Sequence, residues 1–245
     1  MIKIECSATP PHVNAERADS LPAVPPYDKH YDWVEALRRR GICGPVIDVG
    51  TNTGGFVDCW LELGASMVVA FEPIPSLFSM LATRYAANTR VMCVPMGLSD
   101  RASTEPSMNV HNCWTLLPAG GEPVLAPALE YASAPPFSVT FDTLDAFCER
   151  ESIEPTFIKI DTDGYDGRVL RGGTRVIERY RPVMKLELSA LPLAIGDCCE
   201  CIVRWCFARG YAAQHVVTGE MFSTAEALLR CFPWHTSYDV LLFPD

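Results

Sequence analysis

The sequence predicts an α/β fold: a doubly wound, mostly parallel, seven-stranded sheet with an antiparallel edge strand. Three observations carry that expectation. From Val46 onward, short apolar runs alternate with amphipathic helical stretches, the pattern of repeated βα units. The first run, Val46–Val49, opens into a glycine-bearing turn, Gly50-Thr51-Asn52-Thr53-Gly54-Gly55, that leads into a helix. The second run, Met67–Phe71, ends on an acid, Glu72.

The elements follow in order. Residues 1–26 carry Pro10, Pro11, Pro22, Pro25 and Pro26 and read as an irregular lead-in. Residues 28–40 predict a helix with Trp33, Val34 and Leu37 as its apolar stripe and Gly41 as its stop. Residues 1–40 are thus expected to form a lid or cap on a main domain spanning 41–245. Helix 54–63 places Phe56, Cys59, Trp60 and Leu63 on one face, and Gly64 closes it. Met67–Phe71, helix 75–87 and strand Val91–Val94 continue the alternation.

Residues 100–137 break that rhythm with Pro106, Pro118, Pro123, Pro127, Pro135 and Pro136 and the pair Gly120-Gly121. A long aperiodic stretch inside a compact domain is usually functional, so 101–137 is expected to be a lid or substrate loop. Regularity returns with strand Ser138–Phe141 and a helix near 142–150. Strands Thr156–Ile160 and Val183–Leu188, helix 197–209, and strands Tyr211–Val217 and Tyr238–Phe243 complete the chain. The last strand, close behind its neighbour, is expected to be antiparallel at the edge.

The formal net charge is −10 with no long basic run. Arg38-Arg39-Arg40 is the densest basic cluster, and it falls at a helix end where it suits the helix dipole. This balance argues against a polyanionic partner such as nucleic acid. No apolar run is long enough to span a bilayer, and the N-terminus lacks the apolar run of a signal peptide, so a cytoplasmic setting is expected. The eleven cysteines then read as reduced, small core residues. Cys198-Cys199-x-Cys201 lacks a second pair at zinc-ligand spacing and lies on an amphipathic helix.

The glycine turn identifies the kind of ligand. Gly50 permits the tight turn after the strand, and Gly54 lets backbone approach a ligand as the helix opens. NAD enzymes use Gly-x-Gly-x-x-Gly, which brings a helix N-terminus onto pyrophosphate. Here the spacing differs, and Asp48 sits in the strand end, where a carboxylate would repel pyrophosphate. S-adenosylmethionine (SAM) carries no phosphate, and its amino group and sulfonium are cationic, so the same acid favours SAM. An NAD-dependent oxidoreductase of the same topology is the rival reading. Glu72 is placed to accept both ribose hydroxyls, Pro73 turns the chain, and Ile74 is placed to pack on adenine. Ser99 and Asp100 follow the third strand, either meeting the adenine edge or capping a turn. The candidate cofactor set is therefore Asp48, Gly50, Thr51, Asn52, Gly54, Glu72, Pro73, Ser99 and Asp100, with Asp161 added below.

The blocks DVGTNTGG, AFEPIPSLFSML, VPMGLSD, TFDTLDAF, FIKIDTDGYDGRVLRGG and PVMKLEL, in that order over residues 45–190, resemble the FkbM family of SAM-dependent methyltransferases. The resemblance implies a class I methyltransferase fold, Rossmann-like, and methylation of a hydroxyl on sugars, polyketides or other secondary metabolites. Thr51 stands where the family commonly has alanine, and Asp163 and Asp166 stand where glutamates are frequent. The N-terminal segment and residues 101–137 fall outside the resemblance, so it does not identify the acceptor. A small-molecule hydroxyl is the expected acceptor, with an amine nitrogen as the alternative.

The second chemical signal is Asp161-Thr162-Asp163-Gly164-Tyr165-Asp166, at the end of the strand Thr156–Ile160. Three acids in six residues are costly unless solvated, hydrogen-bonded or paired with a cation. One of them can serve as general base for the acceptor hydroxyl. Together they can hold a divalent metal, a role the sequence does not favour because the closing glutamate of a calcium loop is missing. Alternatively Asp161 holds the SAM amino group while Asp163 and Asp166 cap the next helix. Asp161, Asp163 and the loop residue His111 are the catalytic candidates, and no residue is assigned to a metal. Lys159 and Lys185 lie inside strands and need partners, and Glu187 either pairs with Lys159 or faces the site.

Overall fold

The computed structural model describes residues 34, 37–38, 40–41, 43–111, 115–118, 135–188, 198–231 and 238–245. The first unit is strand β1 (Pro45–Val49), helix α1 (Gly55–Leu63), β2 (Met67–Phe71), α2 (Pro75–Arg84) and β3 (Val91–Val94). Short strand β4 (Gly97–Leu98), β5 (Ser103–His111), β6 (Thr115–Pro118) and β7 (Phe137–Asp142) come next. The second half holds α3 (Leu144–Glu151), β8 (Phe157–Ile160), α4 (Asp166–Gly172), α5 (Thr174–Tyr180) and β9 (Val183–Leu188). It closes with α6 (Cys199–Phe207), β10 (Tyr211–His215), β11 (Met221–Phe222), α7 (Ala225–Cys231) and β12 (Tyr238–Pro244).

The main sheet has eight strands in the order β11-β10-β12-β9-β8-β1-β2-β3. The pairs β3–β2, β2–β1, β1–β8 and β8–β9 are parallel. The pairs β9–β12, β12–β10 and β10–β11 are antiparallel. The seven-stranded expectation therefore needs correction in detail. Short strand β11 adds the eighth member at the edge, and the last strand, β12, does not sit there. It inserts between β9 and β10, where both its faces are covered: Val240, Leu241 and Leu242 are all buried.

Helices cover both faces, so the central strands are largely apolar on both, with Asp48, Lys159 and Lys185 as buried charged exceptions. Ile47, Val49, Val69 and Phe71 pack into the cluster on one face, while Val46, Val68 and Ala70 join Trp60 and Leu81 on the other. Helix α1 begins from Gly54 and ends at Gly64, both left-handed, with φ of 86° and 92°. Val34 and Leu37, from the expected N-terminal helix, pack on this second cluster. The Arg40 guanidinium lies 3.7 Å from the centre of the Phe243 ring. The remainder of the expected lid or cap, residues 1–33, 35–36 and 39, lies outside the described residues.

The stretch expected to be an aperiodic substrate loop instead contributes most of a second sheet, ordered β4-β7-β5-β6. Met108, Leu116, Val139 and Phe141 from this sheet enter the main core. Strand β7, expected as a member of the main sheet, pairs here with β4 and β5. The alternation of β5 is hidden in the sequence because its register with β7 shifts between Glu105 and Met108, around Pro106. One extra residue in a strand inverts the side-chain period beyond it. Residues 119–134 of the expected loop lie outside the described residues.

The cysteine expectation is corrected at two points: Cys43 and Cys231 are exposed, outside any core, and one pair is oxidised. Cys148, Cys199 and Cys206 are buried, as small core residues would be, but Cys198 and Cys201 are joined in a disulfide at the start of α6. Cys198 caps the helix in extended conformation, and its Sγ accepts a hydrogen bond from the Cys201 N–H. That cap brings the two sulfurs together across one turn.

The segment just after β4 of the second sheet lies in close backbone contact with helix α4. A Cβ at Gly172, the last residue of α4, would lie 2.1 Å from the Ser99 carbonyl oxygen just after β4. Gly172→Ala is expected to lower the unfolding free energy by about 1–3 kcal/mol in denaturant titration, through this overpacking.

Candidate active site

Parallel pairing sends the C-terminal ends of β1, β2, β8 and β9 to one edge of the sheet, where α/β proteins place their ligands. A cleft of about 460 Å³ lies there, within the ~300–1,000 Å³ range of small-molecule sites. One end is formed by Gly50, Thr51, Asn52, Glu72, Pro73 and Ile74. The floor carries Lys159, Asp161, Asp163 and Glu187, and the second sheet supplies Gly97, Leu98, Leu116 and Phe141.

The turn after β1 is dictated by close approach. Gly50 has φ of 78°, and a Cβ there would come within 2.0 Å of the Asp161 carbonyl oxygen. Only glycine allows β1 and β8 to end this near each other. Asn52 also adopts a left-handed conformation, with φ of 54°. It is thereby able to turn its N–H onto Glu72 Oε2 at 2.8 Å, while Ile74 N–H donates to Glu72 Oε1 at 2.8 Å. Glu72 is thus held rigidly by two backbone donors. Burial raises its pKa even against those two hydrogen bonds and the charge of Lys159. A buried carboxylate oriented in this way is matched to neutral hydroxyl donors such as a ribose diol.

Asp48 is placed differently from the expectation. It is wholly buried and is absent from the cleft wall. Its Oδ2 accepts from Trp60 Nε1 at 3.1 Å, and its Oδ1 accepts from Lys159 Nζ at 3.2 Å. The sheet pairs Asp48 with Lys159 in register, which is why the two side chains meet. The electrostatic case for SAM drawn from Asp48 alone is therefore replaced, since Lys159 offsets its charge. Lys159 also donates to the Gly50 carbonyl at 3.0 Å and lies 3.5 Å from Asp161 Oδ2. Burial would lower the Lys159 pKa, but Asp48 and Asp161 outweigh it and keep the ammonium charged.

Other expected residues also shift. Gly54 stands behind the cleft, where a Cβ would meet Leu81 and Tyr85 of the α2 region. Its part is packing of α1 on α2. Ser99 and Asp100 lie beyond the lining residues Met96, Gly97 and Leu98. Ser99 is buried with its N–H bonded to the Asp142 carbonyl, and Asp100 is 3.4 Å from Arg171. The bend after β3 leads into β4, and it is β4 that faces the cleft. His111 ends β5, but its side chain, with Asn112 and Trp114, lies outside the described residues.

The acidic turn divides into distinct environments. Asp161 lines the cleft at 28% side-chain exposure. Burial would raise its pKa, yet Lys159 and Lys185, with a hydrogen bond to Glu187, hold it well below the usual carboxylate range. Asp163 also lines the cleft, with a left-handed φ of 50°. Burial, then the charges of Asp161 and Asp166, push it up to about 6. Asp166 points away: its Oδ2 accepts from Thr162 Oγ1 at 2.9 Å and from the Gly164 N–H at 3.2 Å, closing the turn. No group of three side chains suited to a metal occurs among the described residues. Sequence reasoning missed the aromatic wall, where Phe141 and Tyr165 stack at 5.1 Å. The signal was Tyr165 inside the acidic turn, though nothing in the sequence paired it with β7.

The methyltransferase FkbM domain family matches residues 48–226. The chain belongs to the FkbM methyltransferase family. No match was found among curated proteins. Among solved structures it is similar to an FkbM methyltransferase from Methylobacillus flagellatus, at 14% identity and a TM-score of 0.48. That likeness covers 81% of this chain but 43% of the other, so the chain spans less than half of that protein's length. It is also similar to a candidate tRNA (m1A22) methyltransferase of Streptococcus pneumoniae in complex with SAM. There the identity is 12% and the TM-score 0.45, over 86% of this chain and 71% of that one. A precorrin-6y C5,15-methyltransferase from Geobacter metallireducens matches at 12% identity and a TM-score of 0.42, over 90% and 92% of the two chains. At these scores the likenesses say nothing of this chain's acceptor.

Family membership makes SAM the cofactor to test against the cleft, and the residues fit it. Glu72 offers a fixed carboxylate for a ribose, Ile74 and Leu98 offer apolar surface, and Asp161 offers a persistent anion. Asp48→Ala leaves Lys159 buried with fewer partners and is expected to cost about 3–5 kcal/mol in chemical unfolding. Glu72→Ala is expected to weaken S-adenosylhomocysteine binding at least about tenfold in calorimetry.

Proposed function

We propose that this chain transfers the methyl group of SAM to a hydroxyl of a small-molecule acceptor, with Asp163 as general base. The observation that carries the reading is Asp163 itself: a carboxyl in the cleft, raised to about 6 by burial and by Asp161 and Asp166. A base is most effective when its pKa lies near the working pH. Asp161, held as an anion by two lysines, is unsuited to take a proton and suited to receive a cation. SAM when bound supplies an activated methyl on a cationic sulfonium. The protein's share is alignment and removal of one proton.

The same lining supports a small acceptor of low negative charge. Glu72, Asp161, Asp163 and Glu187 face the cleft, and Lys159, the cation among its lining residues, is spent on Asp48, Asp161 and the Gly50 carbonyl. A phosphodiester would meet those acids at close range. The stacked Phe141 and Tyr165 give an apolar face on which a ring can rest. Leu116 extends that surface from β6.

The activity is tested by pH dependence. With a screen of hydroxylated metabolites as acceptors, kcat/KM is expected to fall below about pH 6 as Asp163 takes up a proton. Asp163→Asn is expected to lower kcat by roughly 10²–10⁴-fold and to remove that acid limb. The same variant should be more stable than wild type at pH 8. A carboxyl whose folded pKa is raised contributes stability below its unfolded pKa and loses it as pH rises through the folded one. Asparagine escapes that loss and also tolerates positive φ. A wild-type rate in Asp163→Asn removes it as the base.

A further inference from the structure

Beneath the cleft lies a second buried lysine that the proposed chemistry does not use. Lys185 of β9 is paired in register with Lys159 of β8, and each side chain is only 2% exposed. Lys159 lines the cleft and Lys185 does not. Lys185 Nζ lies 2.7 Å from Asp239 Oδ1 and 3.6 Å from Asp161 Oδ2. Lys159 Nζ lies 3.2 Å from Asp48 Oδ1 and 3.5 Å from the same Asp161 oxygen. Both ammonium groups also lie over the Phe56 ring, at 5.2 and 5.5 Å.

The side chains thus form a row: Asp48, Lys159, Asp161, Lys185, Asp239. Each lysine is closer to the outer acid at its own end than to Asp161 in the middle. Three acids alternate with two lysines, so the row carries one negative charge in excess. Of its three acids only Asp161 lines the cleft, so that is where a ligand meets the excess.

Topology places the last member of the row. Strand β12 inserts between β9 and β10, and Asp239 is opposite Glu187 in the antiparallel register. Lys185 is two residues from Glu187 on the same face, so Asp239 stands diagonal to it, within reach of a long side chain. The Asp239 carbonyl accepts from the Val216 N–H at 3.1 Å, which fixes its backbone to the end of β10. Asp239 itself is outside the cleft lining and partly exposed.

Resting on the SAM reading above, we propose that Asp239 is a positioning residue: by binding Lys185 it keeps that ammonium from neutralising Asp161, which is thereby left to receive the ammonium group of the cofactor. Asp239 touches no ligand and acts only through Lys185. Without it, Lys185 turns its charge to Asp161 and competes with the incoming ammonium. The row would then hold two acids and two lysines, with no excess charge to offer.

The test is titration calorimetry of the whole chain with S-adenosylhomocysteine and with methylthioadenosine, which has the same nucleoside and thioether but lacks the ammonium. In Asp239→Asn the S-adenosylhomocysteine affinity is expected to fall about tenfold, as coupled neighbouring charges imply, while methylthioadenosine affinity is kept. That retained affinity also shows that the variant folds. Adding Lys185→Met to Asp239→Asn removes the competing charge and is expected to restore most of the lost affinity, which a merely structural role of Asp239 would not do. Lys185→Met alone is expected to bind S-adenosylhomocysteine no more weakly than wild type. Unchanged S-adenosylhomocysteine affinity in Asp239→Asn, an equal loss for both ligands, no recovery in the double variant, or weaker binding in Lys185→Met would each overturn the proposal and leave the methyltransferase reading standing. Failure of wild type to bind S-adenosylhomocysteine at all would overturn both.

Discussion

The buried ammonium of Lys159 holds the centre of this molecule together. It is 2% exposed and contacts Asp48, Asp161 and the Gly50 carbonyl at once. An unpaired charge in that place would be prohibitive, so β1, β8 and the glycine turn must come together for the lysine to be satisfied. Trp60 completes the arrangement by donating to the second Asp48 oxygen and packing at 4.7 Å on Phe157. One polar knot thus ties the first helix to the two central strands.

That knot has a consequence for chemistry. The acid expected to touch the cofactor is consumed in holding the floor, and the charge that reaches the cleft is carried by Asp161 one step outward. Register explains the transfer: Lys159 and Asp161 are two residues apart and so project from the same face of the sheet. The lysine between the two carboxylates holds Asp161 ionised, and burial, followed by that anion, raises Asp163. Two acids two residues apart are driven in opposite directions by their surroundings. This is the arrangement by which one site keeps a permanent anion beside a group able to exchange protons.

The second sheet gives the cleft its other wall. It arises from the stretch least regular in sequence, yet it buries Met108, Leu116, Val139 and Phe141 in the same core as β1 and β2. That side of the cleft is therefore built on packed strands, with the backbone of Ser99 wedged against Gly172. A rigid aromatic and aliphatic wall opposite a row of carboxyls limits what can rest there by shape and by charge together.

Much of this was legible in the chain. Met67–Phe71 and Val91–Val94 were readable to the residue because strands buried on both faces write continuous apolar runs, and Val183–Leu188 was readable from apolar residues that recur around Lys185 and Glu187. Gly50, Glu72 and the acidic turn were legible as a cleft because a parallel sheet sends every strand end of that kind to one edge. Pairing was not legible. Nothing in the sequence says that Asp48 lies beside Lys159, that Glu187 lies between Asp161 and Asp239, or that β7 leaves the main sheet for β5. Those are contacts between residues far apart in the chain, and they follow from register and from where each strand inserts. Local pattern was enough to specify the fold class and the set of polar groups brought to the cleft edge. Which of those groups is neutralised beneath the cleft, and which is left to act, was settled by packing in three dimensions, because charge is apportioned by distances that local pattern does not encode.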